Sequence, residues 1–111
     1  MVRGLALLLL AGCSAPSDFP VIPPYLDAPA GKIVIGKADS LLEKREAYGE
    51  SNFVKRTIAL DSRLSRNTAW LTLEHERVHF ILWDSGVRVD EETEERIADV
   101  IAQSRVAEML R

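Results

Sequence analysis

The stretch from Asn67 to Asp84 constrains most strongly what this chain can fold into. Asn67 or Thr68 can cap a helix at its start, and Gly86 stands just past its end, where helix C-termini favour glycine. Trp70, Leu71, Leu73, Val78, Phe80, Ile81, Leu82 and Trp83 cover most of the circumference. Only Glu74, Arg77 and Asp84 form a polar stripe. A helix apolar nearly all round must be buried. A chain of 111 residues has room for one domain, so this helix is expected at the centre of a single small core. Trp70 and Trp83 read as core residues rather than as a substrate pocket.

The same helix carries both of the protein's histidines. His75 and His79 project from one face, because each residue turns a helix by about 100°. Two neutral imidazoles at that spacing can meet one Zn2+ ion, with Glu76 between them placed to act on water that the metal activates. Buried without partners, two histidines and a glutamate would be costly, and a metal is one way to satisfy them. Satisfied core histidines are the competing reading.

Catalytic zinc usually takes three protein ligands, and there is no third histidine. The candidates lie on a second helix capped by Asp90, with Glu91 and Glu92 in its first turn, running to about Leu110. Among Glu91, Glu92, Glu94, Glu95 and Asp99, geometry favours Glu95. It shares a face with Ala98, Asp99, Ala102 and Val106, and the small residues allow close helix approach. Asp99, one turn on, is placed to accept from the free ring N–H of His75. The competing reading is a solvated acidic face.

The N-terminal part divides differently. Arg3, the apolar run Leu5–Ala11 and Leu10-Ala11-Gly12-Cys13 read as a signal segment, residues 1–12, too short to span a bilayer. The last four residues resemble a bacterial lipobox, which implies lipidation of Cys13, the sole cysteine. An ordinary cleaved signal, or a mis-called start ahead of a cytosolic domain, is the alternative. The lipoprotein reading places the protein on a membrane through its lipid anchor, at the periplasmic face or outer membrane; Ser14 after the cysteine leans toward the latter. All five prolines fall between Pro16 and Pro29, so residues 13–30 read as a lipidated cysteine and a tether. At about 3.1 Å per residue such a tether reaches roughly 40 Å. The apolar Phe19, Val21, Ile22, Tyr25 and Leu26 leave open an arm packed on the domain.

Residues 31–111 are the expected folded domain. Lys32–Ile35 is a short β-branched strand. Ser40 and Glu43 can box one helical turn. Glu46–Leu60 reads as a β-hairpin, turning near Gly49–Asn52, with Val54–Asp61 as a half-buried second strand. The expected class is α+β: a small antiparallel sheet or hairpin packed on the buried motif helix and a second, C-terminal helix. A net charge of −3 without a basic stripe argues against nucleic acid as a partner.

His75-Glu76-x-x-His79 followed by Glu95-x-x-Ala98-Asp99-x-x-Ala102 resembles the gluzincin metallopeptidases, most of all the minimal ImmA/IrrE-type proteins and short phage-encoded relatives. The resemblance covers roughly Gly49 to Ala102. It implies a minimal zincin-like core with a β-sheet before the motif helix, His75, His79 and Glu95 as zinc ligands, and Glu76 as catalytic base. Ile101 stands where the family commonly has phenylalanine, and a lipoprotein signal is unusual among relatives that are often cytosolic. The expected function is zinc-dependent hydrolysis of a peptide or protein substrate. The strand Arg56–Leu60 is a candidate for pairing with that substrate, and Tyr48 or Tyr25 for an oxyanion donor. The rivals are a non-catalytic lipoprotein with a structural or inactive zinc site, acting as a binding module, and an envelope-associated phage protein that recognises a host partner.

Overall fold

The computed structural model describes residues 19–39, 41 and 47–110. Cys13, the lipobox and the Ser40–Glu43 capping box lie outside the described residues. The elements are β1 (Tyr25–Leu26), β2 (Ile33–Ala38), β3 (Gly49–Asn52), β4 (Thr57–Asp61), α1 (Arg66–Asp84) and α2 (Glu91–Met109). A four-stranded mixed sheet packs against two helices, an α+β fold.

The strands run β1-β2-β4-β3 across the sheet. β3 and β4 form a hairpin as expected, but Gly49–Asn52, expected to make its turn, is instead its first strand, with Gly49 opposite Leu60 and Asn52 opposite Thr57. The expectation of an antiparallel sheet is corrected at its centre, where β2 and β4 are parallel and Ile35 lies beside Ile58. Each strand reverses relative to its predecessor. After β2, however, the chain skips one position, runs down β3 and returns along β4 into the gap. β4 is also shorter than Val54–Asp61, because Phe53–Arg56 make the turn. Val54 is fully out in solvent, and Arg56 has a left-handed φ of 53°.

That conformation is costly for a residue with a side chain. It is held by what the guanidinium reaches: Asp84 at 2.8 and 2.9 Å, and the Gly31 carbonyl at 2.9 Å. Asp84 also accepts from the Ala30 N–H. One ion pair thus fastens the hairpin tip, the start of β2 and the end of α1.

The proline-rich arm is not a free tether over its described part. Phe19 is buried in the core, its carbonyl accepts from Arg66, and the Pro20 carbonyl accepts from the Trp70 indole at 2.7 Å. Tyr25 and Leu26 then pair with Val34 and Ile33. The packed arm describes residues 19–30, and the reason lies in their apolar side chains. Prolines restrict the backbone, but β1 sits at a sheet edge, where few donors are needed.

α1 starts two or three residues earlier than expected: Ser65, not Asn67 or Thr68, is the cap, and its hydroxyl oxygen accepts from the Thr68 N–H. It ends as expected. Gly86, at φ 74°, donates to Trp83 O and Val87 donates to Leu82 O, the paired bonds of a Schellman motif. Thr68 through Glu76 are all buried, with Val78, His79 and Phe80. Glu74, expected in the polar stripe, is itself buried and accepts from Arg105 of α2 at 2.5 Å. Trp70 is core, as expected; Trp83 is about half exposed (46%), which corrects its assignment to the interior. α2 begins at the Asp90 cap and packs on α1 through Ala98, Ala102 and Val106, the expected face. No helix among the described residues is long and apolar enough to cross a membrane.

Candidate metal centre

Three elements meet over the middle of α1. α2 crosses it on an alanine face, close enough for carboxylates to reach α1 side chains. β3 approaches from the sheet, and its closeness depends on Gly49: a Cβ there would sit 2.6 Å from Thr72 Cγ2. Real Cβ atoms do not come so near, so glycine is what lets this strand lie against the helix.

His75 and His79 are almost fully buried, and their Nε2 atoms are 3.2 Å apart. Glu95 spans them, with Oε1 3.0 Å from His75 Nε2 and Oε2 2.9 Å from His79 Nε2. The far ring nitrogens also meet carboxylates: His75 Nδ1 lies 2.8 Å from Asp99 Oδ1, and His79 Nδ1 contacts Glu94. The Asp99 approach is close but off the line of a good hydrogen bond, so both its atoms are without another partner. A carboxylate beside each Nδ1 favours the tautomer with hydrogen there. Both Nε2 atoms then face inward, toward each other and Glu95, where an added proton on a ring can be donated to the Glu95 carboxylate.

Three acceptors converging in a buried space require a cation between them. In the protein alone, a proton serves. Burial by itself would lower the His79 pKa, but Glu95, Glu76 and Glu94 together outweigh it and raise the value above 6.5. Burial likewise works against the Glu95 carboxylate, yet the two imidazoles hold it down at about 2. The same donor set suits a small divalent ion. Tetrahedral ligands about 2.0–2.1 Å from zinc stand roughly 3.3 Å apart, close to the separations here. His75, His79 and Glu95 form one group whose ligand atoms all lie within 4.8 Å of one another.

Glu76 is buried and faces β3, outside the group formed by His75, His79 and Glu95. Its Oε1 accepts from the Ser51 hydroxyl at 2.6 Å, while Oε2 has no hydrogen-bond partner. Beside it opens a cleft of about 160 Å3 bordered by β3, α1 and α2. A larger cavity, about 620 Å3, lies elsewhere, between the Val21–Pro24 arm and the start of α1. It touches none of these residues, so volume does not locate the chemistry here.

The fold thus brings together four residues that sequence reasoning singled out: His75, His79 and Glu95, with Asp99 behind His75. Glu76 joins them at the cleft. Neither Tyr48 nor Tyr25 borders the cleft, and Tyr25 is on the opposite edge of the sheet. β4 cannot take an added strand, because β2 and β3 flank it; among the described strands β3 has the open edge on this side. Ser51 and the Glu94–His79 contact were not foreseen. Glu94 had a signal, being next to Glu95 on the same turn; Ser51 had none, since only the hairpin register brings it to Glu76.

The chain matches no protein-family model, no curated protein and no solved structure.

Proposed function

We propose that this protein is a zinc-dependent peptidase in which His75, His79 and Glu95 hold the metal and Glu76 is the general base. The observation that carries the reading is the convergence of three acceptors beside a buried carboxylate with one oxygen fixed and the other without a partner. When bound, the metal would polarise the scissile carbonyl and acidify water. Ser51 fixes the rotation of the Glu76 carboxylate, leaving Oε2 to take a proton from water and pass it to the leaving amine. Glu94 engages His79 Nδ1 and Asp99 stands beside His75 Nδ1, which favours both rings with Nε2 inward. The open edge of β3 can align an extended peptide by backbone hydrogen bonds.

A structural zinc site normally has four protein ligands, whereas the group found among the described residues has three. That difference favours catalysis over the non-catalytic alternative. Lipid attachment at Cys13 belongs to the same reading and rests on the resemblance to a lipobox. Radiolabelled fatty acid should enter the unsubstituted chain and not Cys13→Ser.

The test begins with metal content. The full chain should bind about one zinc, and His79→Ala should lose it; equal zinc in both refutes the site. Glu76→Gln should keep the metal and abolish cleavage of a peptide library. Undiminished turnover in that variant would sink the mechanism.

A further inference from the structure

The cavity of about 620 Å3 behind the arm takes no part in the metal centre or in the peptidase reading, and the prolines explain why it exists. β1 pairs with β2 only at Tyr25 and Leu26, and the ladder ends where the Ile35 N–H donates to the Pro24 carbonyl at 2.9 Å. Pro23 and Pro24 have no N–H to return, so pairing stops there. The arm is caught again only at Pro20, by the Trp70 indole, and at Phe19, by Arg66. Between those attachments it stands off from β2, and Ile22, Pro23, Ile35, Leu60, Leu64 and Ala69 line the space. The volume lies within the roughly 300–1,000 Å3 of pockets that hold a whole small molecule.

The charged groups at these apolar walls are mostly of one sign. Lys37 and Arg66 both border the cavity. Lys37 makes no side-chain hydrogen bond or ion pair among the described residues, and Arg66 gives one N–H to the Phe19 carbonyl. The start of α1 adds its positive end, with no acidic residue in the first turn. Asp61, the one carboxylate among the described lining residues, is held by Arg63 through both oxygens at 3.1 Å. The backbone contributes as well. Val34 donates to Arg56 on the β4 side and Ile35 to Pro24 on the arm side, so Lys37, two residues on, turns its N–H toward the arm.

We propose that this cavity is a second binding site, for an anionic amphiphile: a free medium-chain carboxylate whose alkyl chain fills the space between arm and sheet and whose head meets Lys37 and Arg66. A flexible alkyl chain asks for no hydrogen bonds from walls that offer few, whereas a peptide would bury its amides against two prolines. A cationic head is repelled by the same two side chains.

The experiment uses the full chain carrying Cys13→Ser, so that no attached acyl chain competes. Calorimetry should show saturable binding of decanoate, with decanol and decyltrimethylammonium each about tenfold weaker or worse. Backbone amide shifts in a labelled sample should change at Ile35–Lys37 and Leu64–Ala69. Lys37 is exposed, so Lys37→Gln should keep its melting midpoint. That variant should bind decanoate about tenfold less tightly and decanol within about twofold of the parent. Absence of saturable binding, or shift changes centred away from the arm, overturns the site. Equal affinity for decanoate and decyltrimethylammonium, or a Lys37→Gln variant weakened equally for decanoate and decanol, overturns the anionic head. Tighter binding of a short peptide with an apolar C-terminal residue than of decanoate overturns the amphiphile and assigns the cavity to a peptide end.

Discussion

At the residue scale the proposed metal site depends on protonation of His79. Its pKa lies above 6.5 because Glu95, Glu76 and Glu94 outweigh the effect of burial, which alone would lower it. A metal must displace that proton. Zinc affinity should therefore begin to weaken, as pH falls, at a higher pH than for an ordinary imidazole. Competition with a chelator across pH 6 to 8 checks this, and a flat affinity would contradict it. In the metal-free protein the linkage runs the other way. The raised His79 value contributes stability that is complete below 6.5 and is lost as pH rises through the folded value. Glu95, held down at about 2 against an ordinary 4.5, contributes stability above 4.5 that is lost as pH falls toward 2. Ser51→Ala leaves a second buried oxygen of Glu76 unpaired. It should cost about 1–3 kcal/mol and slow hydrolysis while retaining zinc, as denaturation and metal analysis would show.

At the scale of elements, two contacts set the distance between hairpin and helix. Gly49→Ala puts a methyl group into Thr72, so β3 must retreat and the Ser51–Glu76 bond must lengthen. We expect a loss of about 1–3 kcal/mol from overpacking together with reduced turnover; unchanged stability would mean the strand is free to move. Arg56→Ala removes the clamp on Asp84 and should cost about 1.5–3 kcal/mol, as for hydrogen bonds to a charged group. The Asp84 carboxyl lies below 3.8 mainly because of its bonds to Arg56. Its contribution is thus present above 3.8 and lost as pH falls through the lower folded value. Arg56→Ala should flatten this acid limb in a denaturation series.

The helices were largely legible because their signals are local. The Asp90 cap, the 3.6-residue period and the Ala98–Ala102 stripe all sit within one element. Glu95 and Asp99 could be picked for the same reason: they share that stripe. The β2–β4 pairing was not legible, since a parallel neighbour depends on the chain skipping a position, which no residue in either strand encodes. Ser51 illustrates the same gap at the site. Its partner is 25 residues away in sequence and is chosen by strand register.

At the scale of the whole molecule, the arm is part of the core. Proline content suggested a spacer, but Phe19, Ile22 and Leu26 all pack against the core cluster. A small domain has little core to spare. Phe19→Ala should cost about 3 kcal/mol. Removal of residues 1–30 should cost more, because it also takes away β1 and the Trp70 indole's acceptor. Thermal melts compare the three chains, and equal midpoints would show that the arm carries no stability. Metal and activity measurements accordingly belong on the full chain rather than on residues 31–111.

The two tryptophans stand in opposite surroundings. Trp70 is sealed in the core with its indole N–H on Pro20, whereas Trp83 lies half open, stacked on the ring that borders the cleft. Light emitted by the molecule therefore divides into two reports. A blue-shifted component follows the integrity of the arm and core. A red-shifted component, quenchable by small solutes, responds when something enters beside Phe53. Occupancy and unfolding can thus be followed separately in one cuvette, without a label.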